Sequence, residues 1–398
     1  MRPLIRDVMV AYLARVEGTT PDWAPLDVQY ADYTLWQTSV LGDDADPDSE
    51  LARQLAYWTD ELAGVPEVLA LPTDRPRPAR QSTDGESITF ALGEALAQRV
   101  EKTARDQGAT VFMMMHGAFA VLMSRLSGSE DITVGTPTAG RGEEALDDLV
   151  GMFVNTLVLR TRVAGGSTFA DLLGQAKEKD LAAFGNADVP FERLVDTLGV
   201  RRTSAHTPLF QVMLTFQNID TGTLELPGLV VQPLETGADQ AKFDLQCTVV
   251  ERFTEGGSLG DMDVTFTYAT ALFDRGTIEA FIERFRRVLD AVTDDPQIVL
   301  RSIDLRSEDE RARAARPRKA RTVEDLPDLA ARAAVAAPDT VAFRHGDRDV
   351  TFGEFAQRLE AMASTTGGAL TAEALVSVVL NGLVPGMLPQ LGADASLD

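Results

Sequence analysis

Histidine and cysteine, the side chains most often used for chemistry near neutral pH, are scarce in this sequence. Its 398 residues contain three histidines, His116, His206 and His345, and one cysteine, Cys247. The histidines are far apart in sequence, so their spacing indicates neither a metal site nor a catalytic pair. His116 lies in an apolar helical stretch and is expected in the core, whereas His206 precedes a proline and is expected in an exposed loop. Cys247 alternates with apolar strand residues, which predicts a buried thiol and not a nucleophile.

Polar side chains inside apolar stretches are the stronger functional signal. Asn155 and Thr156 enter a strand that is otherwise apolar as far as Arg160. Buried polar groups need hydrogen-bond partners or a cavity to face. Asn155 and Arg160 are therefore predicted to be functional, and a strand end with satisfied hydrogen bonds is the alternative.

Hydrophobic periodicity predicts the elements that must hold these residues. Apolar residues at helical spacing predict helices over 4–16, 51–62, 93–106, 110–126, 168–184 and 278–292. Short apolar runs, and the alternation of apolar with polar residues, predict strands over 87–92, 132–135, 153–163, 212–216, 243–249 and 262–268. The last two strands flank a Gly-rich loop, which predicts an antiparallel hairpin. The sequence therefore indicates an α+β domain with a mostly hairpin-connected sheet, and this domain ends near Leu305. Tyr30, Tyr33 and Trp36 are predicted only as an aromatic cluster.

Composition excludes several classes of function. The net charge of −24 argues against binding to nucleic acid or to an anionic membrane. A single cysteine excludes an intramolecular disulfide and fits a reducing compartment. The longest apolar run, 111–123, is too short to span a bilayer, and the N-terminus has no signal-peptide core. We therefore expect a cytoplasmic protein.

Several short motifs, taken in order, resemble those of the condensation domains of nonribosomal peptide synthetases. Residues 30–36 (Tyr-Ala-Asp-Tyr-Thr-Leu-Trp) resemble the family's Tyr-x-Asp-Tyr-Ala-x-Trp motif, and residues 151–160 resemble its Gly-x-Phe-Val-Asn-Thr-x-x-x-Arg motif. Residues 188–195 (Asp-Val-Pro-Phe-Glu-Arg-Leu-Val) resemble Asp-Tyr-Pro-Phe-Glu-x-Leu-Val, with Val189 in place of tyrosine and Asn186 where histidine is usual. Residues 207–211 (Thr-Pro-Leu-Phe-Gln) resemble Asn-Pro-Leu-Phe-Gln, with Thr207 in place of asparagine.

This resemblance implies one lobe of a two-lobed, chloramphenicol-acetyltransferase-like fold, with a mixed sheet packed with helices. In the family a tunnel between the lobes admits two carrier-bound phosphopantetheine arms, and an acceptor amine attacks a donor thioester to form an amide. No cofactor is expected on the chain itself. Residues 135–141 (Gly-Thr-Pro-Thr-Ala-Gly-Arg) follow a buried strand, and their glycines allow a tight loop that exposes backbone. Given the resemblance, seven residues from this loop and from the motifs are expected to line the tunnel: Tyr30, Asp32, Thr136, Thr138, Arg141, Asn155 and Arg160. Asp32 and Tyr33 could equally form a packing corner.

The family's catalytic motif, His-His-x-x-x-Asp-Gly, does not occur in this sequence. In the family it ends just before the segment that matches residues 1–7. The resemblance therefore predicts that this chain starts after the catalytic histidine and lacks the N-terminal lobe. It would then be inactive alone, and its apolar N-terminal helix would be exposed.

The resemblance also predicts the division of the chain. Residues 1–305 would be the C-terminal condensation lobe with a remnant of the inter-lobe region, and 306–327 a charged linker. Residues 328–398 would be a partial adenylation-domain-like segment, because 338–343 and 349–355 resemble the opening of that domain. The expected partners are carrier protein domains, the missing lobe and the adjoining adenylation domain. Residues 391–397 resemble a carrier protein's serine motif, for which coincidence is the favoured explanation.

Two other functions remain open from the sequence. The chain could be a non-catalytic module that docks carrier domains, or a fragment of an epimerisation-type domain of the same fold. The linker followed by an adenylation-like start favours the condensation interpretation over epimerisation.

Overall fold

A computed structural model of the chain describes residues 2–217, 225–226, 229–230, 239–254, 256–315, 325–345 and 348–365. The chain divides into two compact units, Met1–Leu305 and Arg306–Asp398. The segment 391–397, which resembles a carrier motif, lies outside the described residues.

The first unit contains eight described helices and nine described strands. The helices are α1 (Arg2–Val16), α2 (Tyr30–Leu41), α3 (Glu50–Glu61), α4 (Glu94–Asp106), α5 (Val111–Ser127), α6 (Phe169–Phe184), α7 (Phe191–Thr197) and α8 (Arg275–Asp294). The strands are β1 (Asp84–Ala91), β2 (Asp131–Thr138), β3 (Asn155–Arg162), β4 (Val212–Gln217), β5 (Glu225–Leu226), β6 (Leu229–Val230), β7 (Asp239–Gln240), β8 (Leu245–Phe253) and β9 (Leu259–Ala269). Short 3₁₀ turns lie at Glu144–Leu146 and Leu300–Ser302.

Seven of these strands form one mixed sheet in the order β3-β2-β4-β8-β9-β1-β7. The β8–β9 hairpin is antiparallel, with Cys247 opposite Phe266, as the alternation predicted. The central strand β4, however, runs parallel to both β2 and β8. The mixed sheet is therefore confirmed, but its centre is joined by crossovers and not by hairpins.

The main core lies between one face of this sheet and helices α4, α5 and α8. Phe119 of α5, Phe285 of α8 and Phe266 of β9 meet with ring centroids 5.8 to 6.3 Å apart. Helix α5 is buried on all sides from Met113 to Ser124, which explains its nearly continuous apolar sequence. Among the described residues no single helix could span a membrane, and only the sharply bent pair α4–α5 reaches the length and composition required.

The predicted helices and strands of this unit are present, with small differences at their ends. The sequence analysis missed α2, whose aromatic residues recur at the helical spacing of three. Helix α2 begins with a capping box in which the backbone N–H of Gln29 donates to Asp32 Oδ2 at 2.9 Å.

The second unit contains three described helices and one hairpin. They are α9 (Glu308–Ala315), α10 (Asp325–Ala336), β10 (Val341–His345), β11 (Arg348–Thr351) and α11 (Phe352–Thr365). Strands β10 and β11 pair antiparallel, and α10 packs on α11. Helix α9 lies within the range predicted as a linker.

Candidate functional site

The seven predicted tunnel residues occupy two regions of the first unit. Six of them surround or adjoin the loop between β2 and β3, residues 139–154, while Arg160 lies near the far end of β3. We call residues 139–154 the β2–β3 loop. The six are Tyr30 and Asp32 on α2, Thr136 and Thr138 on β2, Arg141 in the loop and Asn155 at the start of β3.

Tyr30 fixes the end of the β2–β3 loop to helix α2. Its hydroxyl donates to the Met152 carbonyl at 2.7 Å. Its ring meets Phe153 edge-on, with centroids 5.3 Å apart, and Tyr33 also contacts Phe153 at 4.8 Å. Tyr33 and Phe153 are buried in a small separate cluster with Leu146. Tyr33 therefore forms the packing corner that was the alternative to a tunnel role in this region.

Arg141 holds the same loop from inside. Its guanidinium donates to the carbonyls of Leu146 and Leu149 and lies 4.0 Å from the ring centroid of Phe153. Hydrogen bonds and a cation–π contact thus fold the loop around one side chain.

Two glycines allow the close approaches that this loop requires. Gly140 has φ +64°, and a Cβ there would overlap the carbonyl oxygen of Phe153. A Cβ at Gly151 would overlap the ring of Tyr30. A larger residue at Gly140 would force the loop backbone to move, and one at Gly151 would displace the Tyr30 ring.

Asn155 uses its whole side chain to hold the turn between α6 and α7. Its amide nitrogen donates to the carbonyls of Ala187 and Val189 at 2.8 and 2.7 Å. Its amide oxygen accepts from the backbone N–H groups of Thr156 and Phe191. Four hydrogen bonds exhaust the capacity that an asparagine side chain ordinarily uses.

A residue that the sequence analysis missed holds the same turn from the other side. The Gln54 side chain, on α3, is buried and both donates to Asp188 Oδ2 at 2.9 Å and accepts from the Asp188 backbone N–H at 3.1 Å. The indole N–H of Trp58 donates to the Asn186 carbonyl at 2.7 Å. The only signal in the sequence was their position on the amphipathic helix, so a polar role for Gln54 could not be inferred.

The remaining residues near the loop differ in exposure. Thr136 is buried and lies opposite Leu157, while Thr138 is half-buried and lies opposite Asn155. Asp32 is exposed and caps α2. Tunnel lining by these residues stays a prediction.

Arg160 joins β3, β2 and the end of α3 through charge-assisted hydrogen bonds. Its guanidinium forms a two-point ion pair with Asp131, at 2.9 and 2.7 Å, and donates to the carbonyls of Glu61 and Ala63 at 2.7 and 2.9 Å. The hydrogen bonds from Arg160 hold the pKa of Asp131 below its ordinary value, although partial burial opposes them. The side chains of Arg160 and Asp131 are only 9 % and 18 % exposed.

Neither His116 nor His206, the two histidines whose side chains the structure describes, forms an accessible catalytic group. His116 is fully buried, as predicted, with Nδ1 2.9 Å from Asp180 Oδ1 and Nε2 3.3 Å from the Thr161 hydroxyl. This order of hydroxyl, imidazole and carboxylate is that of a hydrolytic triad, but His116, Asp180 and Thr161 have no exposed surface. The predicted exposure of His206 is wrong, because its side chain is buried and Nδ1 lies 3.1 Å from the Thr207 carbonyl.

Many large apolar side chains are exposed on the two N-terminal helices and at the end of the β2–β3 loop. Large apolar side chains are exposed by 42 to 73 % on α1, on α2, in the segment between these helices and at the end of the loop. We call this the apolar surface; its members are Leu4, Ile5, Val8, Val16, Trp23, Leu26, Leu35, Trp36, Val40, Val150, Met152 and Val154. An Arg6–Asp148 ion pair joins α1 to the loop. Exposed apolar patches of this kind mark surfaces that another part of a protein, or a ligand, covers.

The described groups can position a ligand better than they can exchange protons with it. The polar atoms of Arg141 and Asn155 bind backbone groups, and those of Arg160 bind backbone carbonyls and the Asp131 carboxylate, while many of the large side chains exposed around the loop are apolar. Cys247 is buried, and burial raises the pKa of its thiol, as expected for a core residue.

Comparison with known families gives one match that covers most of the chain. Residues 1–314 match the model of the condensation domain. Among curated proteins, the chain is 43 % identical over 373 residues to an isonitrile lipopeptide synthase of Mycobacterium tuberculosis. It is 36 % identical over 405 residues to a linear gramicidin synthase of Brevibacillus parabrevis. The alignments cover 92 % and 99 % of this chain but only 15 % and 7 % of those relatives.

A solved structure of similar fold is the X-domain in its complex with OxyB from teicoplanin biosynthesis. It is 29 % identical, with a TM-score of 0.72, and the match covers 77 % of this chain and 67 % of the X-domain chain. About a third of that neighbour therefore has no counterpart in this chain.

Proposed function

Because this chain belongs to the condensation-domain family, we propose that it forms most of a domain that joins a donor acyl group to an acceptor amine in nonribosomal peptide synthesis. Both groups would be carried as thioesters on the phosphopantetheine arms of carrier domains in the cytoplasm. The acceptor nitrogen would attack the donor thioester carbonyl, form the amide bond and release the donor's thiol.

The observation that carries this proposal is the apolar surface on the side of α1, α2 and the β2–β3 loop. About a third of the solved neighbour's chain lies outside the match. We propose that an equivalent N-terminal lobe, on the same polypeptide or on another, covers α1 and α2. The family's His-His-x-x-x-Asp-Gly motif, absent from this sequence, would come from that lobe.

This chain's own contribution would be orientation. The loop that adjoins the apolar surface is held by Tyr30, Arg141 and Asn155, so its shape is set before any substrate arrives. Holding two reacting groups in the correct geometry can supply several kcal/mol of rate acceleration, about 7–11 kcal/mol in the best intramolecular cases. The chain alone would then bind a carrier arm without forming product.

The test compares the chain alone with the chain plus the N-terminal lobe of a related condensation domain. Donor- and acceptor-loaded carrier proteins are added to each, and amide product on the acceptor carrier is measured by mass spectrometry. We expect product only with both lobes, and none when the second motif histidine of the added lobe is alanine. Product from the chain alone would contradict inactivity, and no product from either would contradict the proposed function.

A matched pair of variants tests the lobe contact separately. Val8→Glu places a charge on α1 within the apolar surface, where the side chain is 60 % exposed. Val335→Glu, at a position 87 % exposed on α10 of the second unit, is the control. We expect V8E alone to prevent co-elution with the added lobe. Equal co-elution of both variants would place the contact elsewhere.

A second candidate function is a non-catalytic docking module. Its support is that the similar X-domain was solved in a complex with OxyB. The same two-lobe assay distinguishes the two, because a docking module would bind loaded carrier proteins in sedimentation but form no amide with any lobe.

For the second unit, we propose the start of an adenylation domain. The support is the alignment to the linear gramicidin synthase over 99 % of this chain, which continues past residue 314. The β10–β11 hairpin and α11 would open that domain. Fusing the remaining length of a related adenylation domain should give amino-acid-dependent ATP–pyrophosphate exchange, and a fusion that folds without exchange would contradict the assignment.

A further inference from the structure

We propose that a row of four threonines on one face of the main sheet binds the pantetheine arm of a carrier domain. This inference rests on the proposed function, because it names the surface along which such an arm would lie. The row belongs to strands β1, β9, β8 and β4 and shares no residue with the apolar surface.

The register of the sheet places these threonines side by side. Thr89 of β1 lies opposite Thr265 of β9. Thr265 lies opposite Thr248 of β8, which in turn lies beside Thr215 of β4. Neighbouring strands are about 4.8 Å apart, so the row presents one hydroxyl at each such interval over a length of about 14 Å. We call these four residues the threonine row.

The threonine row lies on the face of the sheet turned away from the main core. Cys247 and Phe266, each adjacent in sequence to a threonine of the row, are fully buried in that core. Side chains alternate between the two faces along a strand, so the threonines point the other way. Thr89 is exposed and the other three are half-buried. A ligand can therefore reach their hydroxyls.

A second row, two residues further along each strand, is also uncharged. Its members, paired in the same order, are Ser87, Thr267, Gln246 and Met213. Strand propensity accounts for threonine at such positions, but not for eight positions without charge in a chain of which a quarter is charged, since charged residues ordinarily occupy exposed positions. Charge returns on the far side of the threonine row, where Arg252 pairs with Asp263. The two rows thus form an uncharged polar band, which suits a ligand of amides and not an ionic one.

The hydroxyls of the threonine row can donate hydrogen bonds as well as accept them. Those of Thr89 and Thr265 share one hydrogen bond of 2.9 Å, which leaves one hydroxyl hydrogen to donate. The Gln246 side chain donates to Thr215 and Thr248 at 3.4 and 3.2 Å, so both hydroxyls act as acceptors there and keep their own hydrogens. Each pantetheine amide presents one N–H and one carbonyl, and a threonine hydroxyl can bind either.

The spacing of the row matches the two amides of pantetheine. The β-alanyl unit separates their nitrogen atoms by four bonds, which is about 5 Å when extended. That separation is close to the interval of about 4.8 Å between neighbouring threonines. An extended peptide repeats at about 3.5 Å per residue and would not stay in step with the row. Two adjacent threonines can therefore hold both pantetheine amides at once.

The first experiment measures the binding of three probes to the full chain by ligand-observed NMR. S-methyl-pantetheine is compared with a homologue that carries γ-aminobutyryl in place of β-alanyl, and with an analogue in which ester oxygens replace both amide nitrogens. The amide nitrogens of the homologue are about 6 Å apart, and the ester analogue has no amide N–H to donate. We expect each to bind roughly fivefold more weakly than S-methyl-pantetheine. Equal binding of the three probes, or no binding of S-methyl-pantetheine, would overturn the inference.

Variants of Thr265 test the row itself. Thr265→Val keeps the branched shape but removes the hydroxyl, and should weaken S-methyl-pantetheine binding roughly fivefold. Thr265→Ser keeps the hydroxyl and should bind as wild type does. The control is Thr59→Val on α3, where the lost hydroxyl bonds the Leu55 carbonyl of its own helix; its binding should also match wild type. If T265V bound as tightly as T59V, or if T265S lost as much as T265V, the row would not be the binding surface.

Carrier proteins with and without the arm identify the source of the pantetheine. Wild type should bind the carrier with its arm more tightly than the carrier without it, and T265V should lose most of that difference. A difference that T265V leaves unchanged would overturn the inference, even if the two-lobe assay gave amide product. Arm binding that depends on Thr265, with no amide product in the two-lobe assay, would instead contradict the proposed function.

Discussion

Replacing Arg160 by methionine separates its two possible roles. The substitution keeps most of the length of the side chain and removes the guanidinium. Asp131 is then left without the two hydrogen bonds that Arg160 supplies, and the carbonyls of Glu61 and Ala63 lose their donor. If Arg160 is structural, stability should fall, and if it only faces a tunnel, stability should hardly change.

The expected loss follows from the burial of the pair. Both side chains are less than a fifth exposed, so Asp131 cannot recover full hydration when its partner is removed. Removing one member of a buried ion pair costs about 3–5 kcal/mol, and the partial exposure of Asp131 favours the lower end. We therefore expect R160M to lower the free energy of unfolding by about 3 kcal/mol. Arg160→Lys, which keeps the charge but loses the two-point geometry, should lose roughly half as much.

The assay is urea unfolding followed by tryptophan fluorescence. The three tryptophans of the chain, Trp23, Trp36 and Trp58, all lie in the first unit, so the signal reports only on that unit. Arg162→Met is the matched control. Its guanidinium is 3.8 Å from Asp131 but the side chain is 68 % exposed, and we expect a change below about 0.5 kcal/mol.

The pH dependence gives an independent check on the same pair. The folded pKa of Asp131 lies below its unfolded value of about 3.8 because of Arg160. The contribution is therefore fully present above about pH 4 and is lost as the pH falls through the lowered folded pKa. In R160M the free energy of unfolding should therefore fall less than in wild type as the pH is lowered below about 4. The structural role would be refuted if R160M were as stable as R162M and lost stability at acid pH to the same extent as wild type.

Three further predictions concern other residues of the first unit. Gly140→Ala should destabilise it by more than about 2 kcal/mol, since the residue has φ +64° and no space for a Cβ; Gly142→Ala, with no atom within 4 Å of the new Cβ, should match wild type in the same urea assay. Asp180→Ala should cost about 3 kcal/mol, because it leaves His116 buried without its carboxylate; a thermal melt unchanged within about 1 °C would contradict this. Cys247 should react with a thiol reagent only after unfolding, since burial raises the pKa of its thiol, and stoichiometric labelling of the folded chain would contradict its place in the core.

Local patterns predicted most of the elements, because each depends on neighbours in sequence. Alternation around Cys247 gave the β8–β9 hairpin, and helical spacing gave α5 and α8. The parallel pairings of β4 were not predicted, since strand order depends on contacts between distant segments. His206 was assigned to an exposed loop because a following proline marks a turn, and a turn alone does not determine whether the rest of the fold covers it.

The functional residues were harder to predict, because their partners are distant in sequence. Arg160 binds carbonyls 97 and 99 residues earlier, and Asn155 binds a turn more than 30 residues later. The sequence showed that these polar residues need partners. It could not show whether those partners belong to the chain or to a substrate, and the structure supplies partners from the chain.

The motif side chains already make the hydrogen bonds that they can make, and this limits how they could contact a substrate. Asn155 already makes four hydrogen bonds, and turning one toward a substrate would leave a backbone group unpaired at a cost of about 1–3 kcal/mol. A residue of this kind gains nothing by contacting substrate directly. Substitutions of Asn155 should therefore alter stability before they alter selectivity.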